Sequence, residues 1–143
     1  MNRDQTGHPL FLSWENVLDR AVTAVGSEGE SLSDPASRGA VESLLQFQRQ
    51  WEEGVLFPRL ARYFAGGGPV PVMEAEHRDL ERRWAALDPE DDNSRAAFAK
   101  ALRLHARKES LTLLQVARVR LSRREWEALL DTAASRGLLP PEA

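Results

Sequence analysis

The chain has 143 residues, a length that fits one domain able to bury its own hydrophobic core. It contains no cysteine, which excludes disulfides, thiol catalysis and thiolate metal sites, so any metal must be held by nitrogen and oxygen ligands. Its 19 Lys and Arg and 22 Asp and Glu give a formal charge of −3, and the two signs are interleaved along the sequence. No nucleic-acid partner is therefore expected.

The N-terminal segment and the overall hydropathy indicate where in the cell the protein is expected. Residues 1–6 lack the apolar core of a secretory signal, and no stretch is long and apolar enough to cross a bilayer. We therefore expect a cytoplasmic protein without a membrane partner. The sequence does not predict the oligomeric state.

Breaks rich in glycine and proline divide the chain into four long segments with helical periodicity and a short fifth one. The first helix is predicted to begin at Pro9, because proline suits the first helical position. His8 extends the apolar stripe of this helix by one turn at its N-terminal side.

The second helix is predicted to be the longest. It should begin at Pro35, after a cap at Ser33 or Asp34, and run to about Ala65. Pro58 lies inside it and should remove one backbone hydrogen bond and bend the helix.

Three further helices complete the prediction. The third should extend from about Pro71 to Leu87, and the fourth should follow a cap within residues 92–94 and continue to Val116. A short fifth helix is predicted to begin at the capping box that opens with Ser122. The pattern predicts an all-α protein, an up-down four-helix bundle that forms a single domain over residues 1–143.

Polar side chains interrupt the apolar stripes of these helices. Two helices bear a pair of such residues four positions apart, so that both side chains point to the core on successive turns, and two helices bear one histidine each. All three histidines of the chain therefore lie on core faces. The residues are His8 in the first helix, Gln48 and Glu52 in the second, His77 in the third, and His105 and Glu109 in the fourth.

The two buried carboxylates point to a metal site. An isolated buried carboxylate is strongly unfavourable, so Glu52 and Glu109 need a cation, a proton or several hydrogen-bond donors. Imidazole nitrogen and carboxylate oxygen are ligands that iron, manganese and zinc accept without sulfur, and helix bundles build such sites from inward side chains. The sequence therefore predicts a metal ion between the four helices.

Each candidate ligand also has a simpler interpretation. His8 can cap the first helix, and a His-Glu pair four residues apart can arise by chance in a charged helix. Glu52 can instead pair with an arginine of its own helix. The candidates are Arg49, Arg59 and Arg62. The convergence of polar residues from four helices on one interior favours the metal site.

Two other groups of residues are expected to have structural roles only. Glu53 and Glu76 neighbour candidate ligands in the sequence and are expected to face water. The tryptophans are expected in the core and not around a cofactor. They are Trp14, Trp51, Trp84 and Trp126.

Taken in order, these elements resemble the hemerythrin-like family, the HHE cation-binding domains. The second helix of that family typically reads His-x-x-x-Glu-Glu-x-x-Leu-Phe-Pro, and residues 48–58 match it except that Gln48 stands in place of the histidine. The Glu-His pair of the third helix matches residues 76–77, and the His-x-x-x-Glu pattern of the fourth matches residues 105–109. The closing residues 121–126 resemble the short terminal helix of the family.

The resemblance implies two non-haem irons between the helices, with carboxylates that bridge them. The implied ligands are His8, Glu52, His77, His105 and Glu109. Gln48 departs from the pattern, because an amide oxygen is a weaker and neutral ligand. Since two carboxylates balance one divalent ion, a single iron, manganese or zinc ion is the alternative.

Three functions are compatible with these observations. The first is a metal-dependent protein that binds or senses oxygen, nitric oxide or the cellular iron and redox state, with a small diatomic molecule as its ligand. The second is a bundle whose site has degenerated and which serves as an interaction or regulatory module. The third, an enzyme for oxygen or peroxide chemistry, ranks last, because no dedicated acid, base or substrate pocket is recognisable and no catalytic residue is assigned.

Overall fold

The predicted amphipathic segments form helices in the part of the chain that the computed structural model describes, residues 9–138. Within this range the side chains of residues 9–13 and of Glu15 are not described, and His8 lies outside it. No strand occurs between residues 9 and 138, so the predicted all-α class is confirmed. The helices are α1 (Pro9–Val25), α2 (Pro35–Trp51), α3 (Phe57–Leu60), α4 (Val70–Ala85), α5 (Asp92–Leu111), α6 (Leu113–Arg120) and α7 (Arg123–Ser135).

The helices pack as a bundle around one interior. α1 lies against α2 and α5, α4 lies against α5, and α3 contacts α6. α2 continues into α3 through a π-turn at Glu52–Leu56, so that the two helices form the predicted second long helix. The short α7 packs against this π-turn and against α1.

The second long helix begins as predicted and ends slightly earlier. The carboxylate of Asp34 accepts a hydrogen bond from the Ser37 backbone N–H at 3.1 Å and caps the first turn. At the other end, the last helical residues form a 3-10 turn, Ala61–Tyr63, and Phe64 is extended. The predicted end near Ala65 agrees with this end to within two residues, and the glycines that follow adopt positive φ angles that no right-handed helix contains.

Pro58 disturbs the second long helix, as predicted. Because proline has no N–H, the carbonyl of Gly54, four residues earlier, loses its helical partner, and the Arg136 guanidinium donates a hydrogen bond to it instead. The preceding turn, Glu52–Leu56, is π-helical, with the Phe57 N–H bonded to the carbonyl of Glu52. A π-turn holds one residue more than an α-turn, and such turns are frequent at functional sites.

The predicted fourth helix is interrupted at Thr112, which its periodicity did not indicate. The Thr112 hydroxyl donates a hydrogen bond to the carbonyl of Lys108 at 2.6 Å, and the residue has φ −117° and ψ −80°. The Thr112 N–H still bonds to the same carbonyl at 3.0 Å, and a threonine hydroxyl bonded in this way often bends a helix. The regular α-helical conformation is therefore interrupted three residues after Glu109.

The capping box predicted for the fifth helix is present. The Ser122 hydroxyl accepts a hydrogen bond from the Glu125 N–H, and the Glu125 carboxylate accepts one from the Ser122 N–H, both at 3.1 Å. The cap orients α7 so that Trp126 and Leu129 are buried against the bundle.

Two apolar clusters fill the interior, and polar side chains lie between them. On α4, His77 falls between Met73 of one cluster and Leu80 of the other. The first cluster includes Trp14, Leu18, Trp51, Leu56, Met73, Leu113 and Trp126. The second cluster includes Val25, Leu32, Val41, Leu80, Phe98 and Leu102. The buried residues between them, here called the polar layer, are Gln48, Glu52, His77, His105 and Glu109.

The loop between α1 and α2 offers a test of the fold. Gly29 has φ 73°, and a Cβ at this position would collide with the Arg95 backbone at the start of α5. We expect Gly29→Ala to lower the free energy of unfolding by about 1–3 kcal/mol in a urea titration. Gly39→Ala is the control, because Gly39 is exposed inside α2 with open space around it. It should raise that free energy by roughly 0.5–1 kcal/mol. Equal stability of the two variants would contradict the prediction.

Candidate metal centre

The polar layer brings together candidate ligands from three helical segments. Glu52 begins the π-turn, His77 lies on α4, and His105 and Glu109 lie on successive turns of α5. Each offers one ligand atom, and these four atoms lie within 4.8 Å of one another. Both carboxylates are fully buried, and the two imidazole rings are 4.9 Å apart between centroids.

His77 lies between an inner and an outer carboxylate. Its Nδ1 is 2.6 Å from Glu53 Oε2, and since an ionised carboxylate only accepts hydrogen bonds, Nδ1 must be the donor. Its Nε2 faces the interior, 3.0 Å from Glu52 Oε1. The ring also stacks on Phe57, with 5.7 Å between ring centroids. These contacts hold the Nε2 atom toward the centre of the bundle.

His105 repeats this arrangement on α5. Its Nδ1 donates to Glu76 Oε1 at 2.9 Å, and the second oxygen of Glu76 accepts from Lys108 Nζ at 2.7 Å. Its Nε2 lies 2.8 Å from Glu109 Oε2, in the interior. Each histidine is thus oriented by an outer carboxylate, as is common for histidines that bind metals.

The inward atoms of the cluster have no hydrogen-bond partners of acceptable geometry among residues 9–138. They are Glu52 Oε1, His77 Nε2, His105 Nε2 and both carboxylate oxygens of Glu109. With Nδ1 as the donor, a neutral imidazole presents a lone pair at Nε2, so lone pairs face lone pairs at 2.8–3.0 Å. Such a contact is unfavourable unless a proton or a metal cation lies between the atoms. The donor set of two imidazoles and two carboxylates fits a divalent transition metal.

Glu52 makes one further contact, with a tryptophan of α1. The Trp14 indole N–H donates a hydrogen bond to Glu52 Oε2 at 2.8 Å, and both side chains are fully buried. Two of the arginines considered as partners of Glu52 pair with other carboxylates instead. Arg49 pairs with Glu81 at 3.2 Å, and Arg59 lies 4.0 Å from Glu125.

Gln48 borders a cavity at one side of the cluster. It is only 3% exposed, and its Nε2 has no hydrogen-bond partner within the described part of the chain. The cavity has a volume of about 200 Å³ and is also lined by His77 and His105. Both histidines and Gln48 therefore border the same cavity.

The two histidines differ in how the surroundings shift their pKa values. Burial lowers the pKa of His77, but the carboxylates of Glu52 and Glu53 raise it by more, so that it lies above its usual value. Burial lowers the pKa of His105, and the hydrogen bond to Glu76 does not offset this effect. Burial raises the pKa of Glu76, but its bonds with Lys108 and His105 lower it by more. Glu76 is therefore ionised and can accept from a neutral His105.

Of the six residues singled out from the sequence, Glu52, His77, His105 and Glu109 converge, Gln48 lies in the same layer, and His8 is outside the described residues. The expectation that Glu53 and Glu76 face water was wrong. Their side chains are 28% and 22% exposed and bond to the histidines. Their positions next to candidate ligands, as Glu52-Glu53 and Glu76-His77, were the available signal. The Trp14 contact had no signal in the sequence.

Comparisons with known proteins gave one match. The family model "Hemerythrin HHE cation binding domain" matches residues 16–117. The match contains the four converging residues and Gln48 but neither His8 nor α7. A search of curated proteins and a search of solved structures gave no significant match. None of the helices between residues 9 and 138 is long and apolar enough to span a membrane.

The outer carboxylates can be tested separately from the inner ones. We expect Glu53→Ala and Glu76→Ala each to weaken metal binding by about 10–100-fold, because each frees the Nδ1 of a histidine from its orienting acceptor. Competition with a chromophoric chelator for Co²⁺ measures the affinity. Glu74→Ala on α4 is the matched control and should retain the wild-type affinity. An equal loss in all three variants would indicate a general destabilisation and contradict the orienting role.

Proposed function

This chain belongs to the hemerythrin HHE cation-binding domain family, and on that basis we propose that it binds non-haem iron within the bundle and uses it to bind or sense a small molecule. The observation that supports this proposal is the set of buried, inward nitrogen and oxygen atoms without hydrogen-bond partners among the described residues. Oxygen, nitric oxide or a change in iron or redox state would be the signal.

Glu52, His77, His105 and Glu109 would hold the metal. Their two carboxylate charges balance one divalent ion, and their neutral imidazoles supply two nitrogen ligands. Bound iron would supply reversible binding of a diatomic molecule and a change of oxidation state. The chain itself positions the ligand atoms, since Glu53 and Glu76 hold the rings and Trp14 holds Glu52. The two-iron form remains a prediction of the family resemblance, and manganese and zinc accept the same ligand types.

The cavity beside Gln48 supports binding of a small molecule. Its volume of about 200 Å³ exceeds that of a diatomic molecule and is too small for a large cofactor. Its lining combines the apolar side chains of Leu45, Leu80 and Trp84 with polar and charged ones, among them Arg49 and Glu81.

A bundle with a degenerate site is the second candidate function, and Gln48 is the observation that favours it. An interaction module would keep its fold and its stability without metal. The two functions therefore differ in how a metal ion changes the free energy of unfolding, since an ion that binds only the folded state must stabilise that state.

The Glu109→Gln variant separates the two functions. Without metal, removing this buried charge should leave the free energy of unfolding unchanged or raise it. With Fe²⁺ added anaerobically at 100 times its dissociation constant, the wild type should gain about 2.7 kcal/mol, and the variant should gain much less. Urea unfolding and metal analysis measure both effects, with Glu90→Gln as the exposed control. A wild type that binds no Fe²⁺, Mn²⁺ or Zn²⁺ would refute metal binding and leave the interaction module.

Filling the cavity tests the small-molecule proposal. Leu45→Trp places an indole in the cavity and should weaken nitric oxide binding to the ferrous protein by roughly tenfold or more, about 1.4 kcal/mol. Absorption spectra under anaerobic titration measure this affinity. Leu111→Trp on the exposed surface is the control and should have no effect. Unchanged affinity in Leu45→Trp, with unchanged iron content, would show that the cavity is not the route to the site.

A further inference from the structure

We infer that the polar layer holds one metal ion and not two, because Trp14 engages the second oxygen of Glu52 and Gln48 stands where the family motif has a histidine. This inference rests on the proposed metal binding and concerns its stoichiometry. It departs from the two irons that the family resemblance implies.

The first step concerns the oxygens of Glu52. A carboxylate that bridges two ions through both oxygens gives one to each ion. Here Oε2 accepts the indole N–H of Trp14 at 2.8 Å, and Oε1 faces His77 Nε2 at 3.0 Å. An indole nitrogen is only a donor and cannot bind a metal ion. Glu52 therefore has one oxygen directed to the cluster and the other engaged by the indole of Trp14.

The second step concerns the ligands that α1 can supply. On α1, Leu18 belongs to the first apolar cluster and Val25 to the second, and Ala21 between them is fully buried. The fully buried side chains described on α1 are tryptophan and aliphatic residues. Pro9, the first residue of the helix, precedes Leu18 by nine residues, about 13 Å along the axis. The buried side chains described on α1 thus include no metal ligand, and the indole of Trp14, one turn before Leu18, is the group that bonds to Glu52.

The third step concerns α2. Gln48 lies one turn before Glu52 and is almost fully buried, but its amide is neutral and a weak ligand. A second divalent ion would add two positive charges to an interior in which Glu52 and Glu109 already balance the first. Glu76 is paired with Lys108, and Glu53 is partly exposed to water. A second ion would therefore be bound weakly, since buried charge without a partner is unfavourable.

Metal stoichiometry tests the inference directly. The full chain is titrated anaerobically with Fe²⁺ and separately with Zn²⁺, and bound metal per chain is measured after gel filtration. We expect one ion per chain and, after oxidation of the iron, the electron paramagnetic resonance signal of an isolated high-spin ferric ion. Two ions per chain, or a coupled pair without that signal, would overturn the inference and leave the proposed function standing. No bound metal would overturn both.

Restoring nitrogen ligands provides the converse test. The double variant Trp14→His with Gln48→His should bind two ions per chain, and Gln48→His alone should bind a second ion weakly or not at all. If the double variant folds, as judged by circular dichroism, and still binds one ion, Trp14 and Gln48 do not determine the stoichiometry. The double variant His8→Ala with Glu15→Ala removes the histidine and the carboxylate whose side chains are not described. It should still bind one ion, and loss of that ion would contradict the second step, that no ligand comes from this part of the chain.

A smaller change at Trp14 tests its role with less risk of unfolding the protein. Trp14→Phe retains a large ring and removes the N–H, so it should still bind one ion, with an affinity lowered by about 10–100-fold. Trp51→Phe is the matched control, because Trp51 is equally buried and its indole nitrogen has no partner within the described chain. Equal affinities of these two variants would overturn the role of Trp14 in positioning Glu52.

Discussion

The contact on which the rest of this structure depends is that between imidazole nitrogens and carboxylate oxygens in the middle of a helical bundle. His77 faces Glu52 and His105 faces Glu109 at 2.8–3.0 Å, and the facing atoms have no other partners among residues 9–138. A packed core would ordinarily exclude such groups, because unpaired buried charge is costly. Their presence calls for a proton or a metal cation between the facing atoms, and the metal cation connects the fold with the proposed function.

The surroundings of the polar layer hold this unfavourable arrangement in place. Apolar clusters lie on both sides of it, so burial of large side chains such as Trp51 and Phe98 offsets the cost of the buried polar atoms. Outer contacts fix the orientation of the inner groups, since Glu53 and Glu76 bond to the Nδ1 atoms. The inner atoms cannot turn away to find other partners. The site is therefore preorganised by residues that would not themselves contact the metal.

Much of this arrangement could be predicted from the sequence, because it depends on spacing within single helices. Periodicity placed His77, His105 and Glu109 on core faces, and the side chains of Asp34 and Ser122 cap their helices as predicted. The contacts that could not be predicted join different helices. Whether Glu76 faces water or a histidine depends on how α4 lies against α5, and the spacing within α4 is the same in both cases. The interruption at Thr112 likewise depends on a side-chain hydrogen bond.

Trp14 shows why the chemistry of a site must be read from contacts between helices as well as from motifs. Residues 48–58 match most of the second-helix motif, and the family resemblance implies that its carboxylate can serve two ions. The indole from α1 engages one oxygen of that carboxylate, and no feature of residues 48–58 reveals it. A side chain that satisfies a ligand atom can change the number of ions bound without altering any ligand. On the inferred stoichiometry, a second ion is disfavoured although both carboxylates, Glu52 and Glu109, remain buried in the polar layer.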